Sequence, residues 1–328
     1  MFRELPESAW DDNGDMHNDV TATGHAARIA TVDALLPAPL PFQVEGDSVL
    51  LTAEVGDTAA AGLATCTGLG PDSPRSMWRA LVEHRLEVQL AGPDPAAGLD
   101  ALLTRWDEHL RSLAQVGDTE CSAVLSRPSR DTAGATELLR HGFAPVGVIA
   151  VRPAQRMAAG PDATPGVCIR HATPEDLHTA VALQLELQRY DAQFGRVTLR
   201  PGAEELIAKE LLHHLERPEP QVWIAELYGQ PLGMVVLQMP DETGWIRHRV
   251  AASRVGYLSS LAVSEAARSA GVGTALAAHA HQVFDEAGAD VVLLHHAMAN
   301  PRSTPFWYAQ GYRPLWTGWQ RRPAVRSR

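Results

Sequence analysis

The sequence predicts an α/β (α+β) chain of two similar halves, and three observations carry that expectation. Strand-like and helix-like patterns alternate along most of the 328-residue chain. Pro153 to Gly166, rich in Pro, Gly and Ala and without a hydrophobic period, separates them and suits an inter-domain linker. Features of the second half also recur in the first. Leu86-Glu87-Val88 stands ten residues before Gly98, as Leu261-Ala262-Val263 stands ten before Gly273, and Gly142-Phe143-Ala144-Pro145 echoes Gly311-Tyr312-Arg313-Pro314. The expected units are residues 1–152, a linker over 153–166, and residues 167–328.

Residues 1–20 are polar and expected to be loose. Apolar spacing predicts a helix from Thr21 to Leu36, stopped by Pro37-Ala38-Pro39-Leu40-Pro41. Strands are expected at 48–55, 61–66 and 77–90, then a helix at 99–113 and a strand at 121–126. A helix at 132–141 ends at Gly142, and 143–152 forms the last strand of this half. Beyond the linker, 167–173 reads as a strand. Thr173-Pro174-Glu175-Asp176 reads as a helix start, with Thr as N-cap, Pro at the first position and acids in the first turn. A second helix runs from Pro201 to about Arg217. A hairpin over 221–239 and an Arg-bearing loop, 240–254, lead to the centre of the chain.

That centre is Tyr257 to Gly288. Tyr257 to Val263 reads as a buried strand, Ser264 to Thr274 as a small-residue turn, and Thr274 to Phe284 as an Ala-rich helix closed by Gly288. The order strand, glycine turn, helix binds phosphates. Glycines let the backbone approach an anion, and the first-turn N–H groups point at it with the favourable end of the helix dipole. A further strand, 289–297, and a helix from Asn300-Pro301 through Phe306-Trp307-Tyr308 follow.

Composition narrows the classes. A net charge of −11 argues against general nucleic-acid binding and is compatible with cationic amines. Cys66, Cys121 and Cys168 are widely spaced, without zinc spacing or a disulfide framework, which fits a reducing compartment. No long apolar run appears, so a cytoplasmic protein with no membrane partner is expected. His279/His281 and His213/His214 do not share helix faces, which argues against a metal. The simplest expectation for Arg247, Arg249 and Arg254 is a solvated loop.

Arg268-Ser269-Ala270-Gly271-Val272-Gly273, after a strand ending Leu-x-Val, resembles the acetyl-CoA pyrophosphate loop of the GNAT superfamily of N-acetyltransferases. Asn300, the aromatic run at 306–308 and Gly311-Tyr312 resemble the family's next block, and the element order resembles it over nearly all of 167–320. The resemblance implies two tandem GNAT-like domains, each a mixed, mostly antiparallel sheet flanked by helices. The first has Gly92-Pro93-Asp94-Pro95-Ala96-Ala97-Gly98 in place of the loop and resembles a degenerate member. Its prolines remove donors and Asp94 sets a carboxylate where a diphosphate would lie.

The implied function is acetyl transfer from acetyl-CoA to an amine of a small-molecule acceptor, catalysed by the second half. The alternative is a non-catalytic acyl-CoA-binding or regulatory protein. By the resemblance, Leu261, Ala262 and Val263 hold the pantetheine arm as an added strand would. Arg268, Ser269, Ala270, Gly271, Val272, Gly273 and Thr274 hold the pyrophosphate, and Asn300 orients the arm or caps its helix. Trp307 stands where many members carry an acidic Tyr, and an indole N–H cannot protonate a thiolate. Tyr308 and Tyr257 are therefore the candidate catalytic phenols. His295 and His296, consecutive on a strand, must face opposite sides of the sheet.

Overall fold

The computed structural model describes residues 12–154, 164–195 and 197–327. The first half runs α1 (Asp12–Ala30), β1 (Val49–Val55), β2 (Thr58–Gly68), β3 (Val82–Ala91), α2 (Pro95–Leu113), β4 (Cys121–Pro128), α3 (Ala135–Arg140) and β5 (Ala144–Pro153). The second runs β6 (Val167–His171), α4 (Leu177–Asp191), α5 (Ala203–Leu215), β7 (Val222–Leu227), β8 (Gln230–Gln238), α6 (Gly244–Arg247) and β9 (Val255–Val263). It closes with α7 (Val272–Glu286), β10 (Val291–Ala297), α8 (Ser303–Ala309) and β11 (Arg313–Arg321). Most of the expected linker, 155–163, lies outside the described residues.

The described strands form one sheet in the order β1-β2-β3-β4-β11-β5-β10-β9-β8-β7-β6. Its pairs are antiparallel except β3 with β4 and β9 with β10. The sheet is mixed, mostly antiparallel and flanked by helices, as the resemblance implies, but it is continuous through both halves rather than one sheet in each. The order is nearly palindromic, because β1-β2-β3-α2-β4-α3-β5 repeats as β7-β8-β9-α7-β10-α8-β11. Yet the last strands are exchanged: β5 lies against β10 of the second half, and β11 against β4 of the first. Behind β11, Ala324 and Val325 sit in the first half's core, and Arg321 pairs with Asp107 at 2.7 Å.

The helices form for legible reasons. In α2 the buried residues Leu99, Leu102, Leu103, Trp106 and Leu110 recur at helical spacing. Each such side chain contributes about 1.5–3 kcal/mol of burial. Asp94 Oδ1 accepts from Ala97 N at 3.0 Å to cap this helix. In α7 the stripe Leu276, Ala277, Ala280 and Phe284 packs on the sheet, with Val292 and Leu294 of β10 in the same core.

Three expectations are corrected. Helix α1 begins at Asp12, inside the stretch expected to be loose, and stops at Ala30 rather than Leu36. There the chain turns, and Asp33 Oδ1 accepts from Leu35 N at 3.0 Å. The strand expected from Met77 begins only at Val82, because Pro74–Trp78 is a 3-10 turn. Met77 is fully buried among Ala180, Ile207 and Leu211 of the second half, a tertiary demand that strand patterning does not reveal. The spacing echo between Val88 and Val263 is also not the structural equivalence. The parallel pairs end at Leu86↔Leu125 and at Leu293↔Tyr257, so the strand end Ala91 matches Val263.

Candidate active site

The site grows from an interrupted ladder. Strands β9 and β10 pair over only three positions, Val255 to Tyr257 with Val291 to Leu293. Beyond Tyr257, β9 stays paired with β8 as far as Val263, and β10 with β5 as far as Ala297. The two strands therefore diverge, and their facing edges bound a wedge-shaped slot. A register shift between Val236 and Leu237 leaves Ser259 as the extra residue of a bulge at the start of that slot. The Ser259 hydroxyl is buried without a hydrogen-bond partner among the described residues.

At the far end of β9 the turn is built to expose N–H groups. Ser264 to Ala267 closes a 3-10 turn, Ser269 has φ 64°, and Gly271 has φ 84° as the residue before α7. The first bond of the helix is from Ala275 N to Gly271 O. The N–H groups of Val272, Gly273 and Thr274 have no acceptor among the described residues. Gly233 of β8 lets α7 sit close: a Cβ there would meet Val272 at 2.7 Å and Leu276 at 3.0 Å. A free helix N-terminus beside an open strand edge and an orphaned buried hydroxyl fits an extended ligand ending in a diphosphate.

Helix α4 runs along this slot on the sheet face opposite α7. Gln184 Oε1 accepts from Ser260 Oγ at 2.6 Å, and Glu186 Oε1 accepts from Arg268 at 2.7 Å and from Glu265 N at 2.8 Å. Arg268 also bonds Glu265 at 3.0 Å and lies 5.7 Å from the Tyr190 ring centroid. Arg302, which has no ion-pair partner among the described residues, lies 4.6 Å from the same ring. The sequence reading passed over Arg302. Its position two residues after Asn300 was the available signal.

Asn300 is buried and fully engaged. Its Oδ1 accepts from the N–H groups of Arg302 and Ser303, at 2.9 and 3.0 Å, and its Nδ2 donates to Asp191 Oδ1 at 2.7 Å. Burial pushes the Asp191 carboxyl above the usual range, partly offset by that bond. The Asp191–Asn300 contact ties the end of α4 to the start of α8.

The two candidate phenols are not brought together. Tyr308 is exposed on α8 and packs edge-on to His296 at 5.8 Å. Burial of part of its ring raises its hydroxyl above the ordinary value, and burial lowers His296. Tyr257 is buried on the opposite face, with its hydroxyl 2.9 Å from His295 Nδ1. As strand alternation requires, His295 and His296 point to the two sides. Trp307 is core, packed on Phe306 and Tyr312. Trp245 on α6 packs against Tyr257 and His295, and neither Trp245 nor α6 was expected from the sequence. Arg249 is no solvated loop residue either, since it lies 5.7 Å over Trp316 beside Glu87.

In the first half the corresponding wedge is filled. Only three residues separate β3 from α2, where eight separate β9 from α7. Helix α1 lies along β3, with Arg28 bonding Asp131 at 2.8 Å and Asp131 bonding Arg127 at 2.6 Å.

The second half thus combines a strand pair that opens, a helix N-terminus with unpaired N–H groups and a mixed sheet. Residues 186–312 match the model of the acetyltransferase (GNAT) family. The fold is similar to a GCN5-related N-acetyltransferase from Sphaerobacter thermophilus, at 15% identity, over 83% of this chain and 82% of that one, with a TM-score of 0.53. A tandem GNAT protein from the clavulanic acid biosynthesis pathway aligns at 14% identity over 95% and 96%, with a TM-score of 0.46. No curated protein sequence matches the chain. Among the described residues no helix is long and apolar enough to cross a membrane, and no group of residues is placed to hold a metal ion.

Proposed function

We propose that the chain transfers an acetyl group from acetyl-CoA to the amine of a small molecule, in the slot of the half spanning 167–328. Residues 1–152 are then a degenerate GNAT-like partner. The observation that carries the reading is the open edge of β9 ending at unpaired N–H groups on α7. Leu261 to Val263 would pair with the amide groups of the cofactor arm. Arg268 and the backbone of Ser269 to Thr274 would receive the diphosphate, with Glu186 and Glu265 giving up their bonds to Arg268. Asn300, held by Asp191, shapes the slot's rim. An N–H at the Ser259 bulge would take the charge that develops on the carbonyl oxygen. Tyr308 is the proposed acid for the departing thiolate, with Tyr257 the other phenol.

The decisive experiment is calorimetry with acetyl-CoA joined to an assay of acetyl transfer over a panel of primary amines. Tight binding with transfer supports the reading. Binding without transfer to any amine would replace it with an acyl-CoA-binding role.

A further inference from the structure

Tyr257 is the last residue of β9 that pairs with β10, and His295 lies two positions beyond its partner Leu293 on the same face. Their hydrogen bond therefore spans the apex of the slot, one residue before the bulge pair begins at Leu258. Six strand steps, about 20 Å at about 3.3 Å each, separate Tyr257 from Val263 and the phosphate-binding turn. An arm entering at α7 and running along β9 ends beside this pair. Trp245 closes one side: its ring lies 4.9 Å from that of Tyr257 and stacks within 15° of His295 at 6.4 Å, while its Nε1 donates to Gln238 Oε1 at 2.8 Å. Half of Trp245 remains exposed, and His295 is half-buried.

We propose that Tyr257 and His295 form the proton relay that neutralises the acceptor amine, with Tyr257 touching the amine and His295 the positioning residue that stores the proton. This rests on the acetyl-transfer reading above. The ammonium gives one proton to Tyr257 Oη as Oη passes its own to His295 Nδ1, leaving a neutral amine, a neutral phenol and an imidazolium. The nitrogen lone pair then forms the N–C bond, the C–S bond breaks, and its electron pair leaves with sulfur. The thiolate takes its proton from Tyr308, the proton still in excess on nitrogen returns through solvent to the Tyr308 phenolate, and the imidazolium returns its proton to solvent. The charged or titratable groups on neighbouring elements, among the described residues, are as follows. After Trp245, Arg247, His248 and Arg249 follow, with Arg249 held over Trp316. Asp33 is paired with Arg313 and Arg130, and on α4 Glu186 and Asp191 are engaged by Arg268 and Asn300. From β5, His295 faces Ile149.

The test uses the full chain with His295→Gln and Tyr257→Phe, reading acetyl-CoA affinity, the pH profile of kcat/KM, and the NMR titration of the His295 ring. Both variants should bind acetyl-CoA within about twofold of wild type and lose about 100-fold in kcat. The ionisation that shapes the wild-type profile should coincide with the NMR midpoint of His295 and vanish in His295→Gln. An acceptor amine already neutral at the assay pH should recover most of the lost rate. His295→Gln with an unchanged rate and profile would overturn the relay alone, as would a neutral amine that recovers nothing. A wild-type protein that binds acetyl-CoA yet acetylates no amine would overturn the transfer reading and the relay with it.

Discussion

His25 Nδ1 lies 3.2 Å from the backbone nitrogen of Leu90 and 3.2 Å from its carbonyl oxygen. Burial, with Arg127 and Arg28 nearby, lowers His25 to about 3, so the ring is neutral and can accept the Leu90 N–H. Helix α1 thus takes up in the first half the kind of strand edge that β9 leaves open in the second. A full-length chain should saturate with one acetyl-CoA, and His25→Ala should not add a second site, because the phosphate turn is missing as well. Calorimetric stoichiometry checks this, and two tight equivalents would refute it.

Gly271→Val should abolish acetyl-CoA binding in the same titration, with affinity falling by at least about 100-fold while the far-UV spectrum stays native. The residue needs φ 84°, a conformation costing a branched side chain about 1–2 kcal/mol, and its Cβ would meet Thr164 at 2.8 Å. Gly273→Val acts differently. Its Cβ finds ordinary contact with Phe306 and Val263 at 3.5–3.6 Å, so the loss comes from bulk beside the anion site. Retained affinity in both variants would remove the basis for the assignment.

Tyr308→Phe should lower kcat about ten- to hundredfold and leave acetyl-CoA affinity unchanged. A thiol-derived anion with a pKa of about 8.5 leaves tolerably without help at neutral pH, which keeps the effect small. Steady-state kinetics decide it, and a wild-type kcat would mean that sulfur takes its proton from water or from the amine.

Met77→Ala should destabilise the whole chain by about 2–5 kcal/mol, although Met77 belongs to the first half by sequence. It fills the core between α4, α5 and the sheet of the second half, where Thr198 N also bonds its carbonyl at 2.9 Å. One shifted cooperative transition is expected in denaturant. Two separate transitions, only one of them moved, would contradict the coupling.

Stability should also depend on His141. Its Nδ1 is 2.7 Å from Asp107, whose carboxylate raises the imidazole above its ordinary value, with Asp100 at 3.3 Å adding to it. Because the folded value is the higher one, this contribution is full below about pH 6.5 and is lost as pH rises through the folded value. Burial opposes ionisation of Asp107, but the bonds from His141 and Arg321 outweigh it and hold that carboxyl low. Its share is present above about pH 4 and fades in acid. His141→Gln should therefore cost more melting temperature at pH 5.5 than at pH 8.5, and equal losses at both would sink the argument.

The sequence exposes what local chemistry dictates. The turn from Arg268 into α7 stood out because glycines and a helix start are written in one short segment, and the structure has the turn there. The Asp94 carboxylate was expected only as a charge in place of a diphosphate, and its role as the cap of α2 was not expected. The hydrogen bond between Tyr257 and His295 was not legible, because it depends on two strands parting after a third pair. Nor was the filling of the first wedge by His25, a contact made across 65 residues. The Val88 echo misled because eight residues of turn had contracted to three, a change that fixed spacing to a glycine cannot register. Trp307 is occupied in the core with Tyr312, which moves the question of the acid to side chains on other faces.

The exchange of β5 and β11 has a consequence for how the chain is made. Trp316 pairs with Pro128 across 188 residues, so the β4 edge lacks this partner until β11 has been synthesised. At about 5–20 residues per second, the first half waits roughly ten to forty seconds for its missing strand. A nascent chain in that interval carries an unpaired hydrophobic edge, the kind of surface that chaperones bind and that recruits neighbouring chains on a polysome. Emergence of β11, rather than of the strands on either side of it, is the event that completes the sheet.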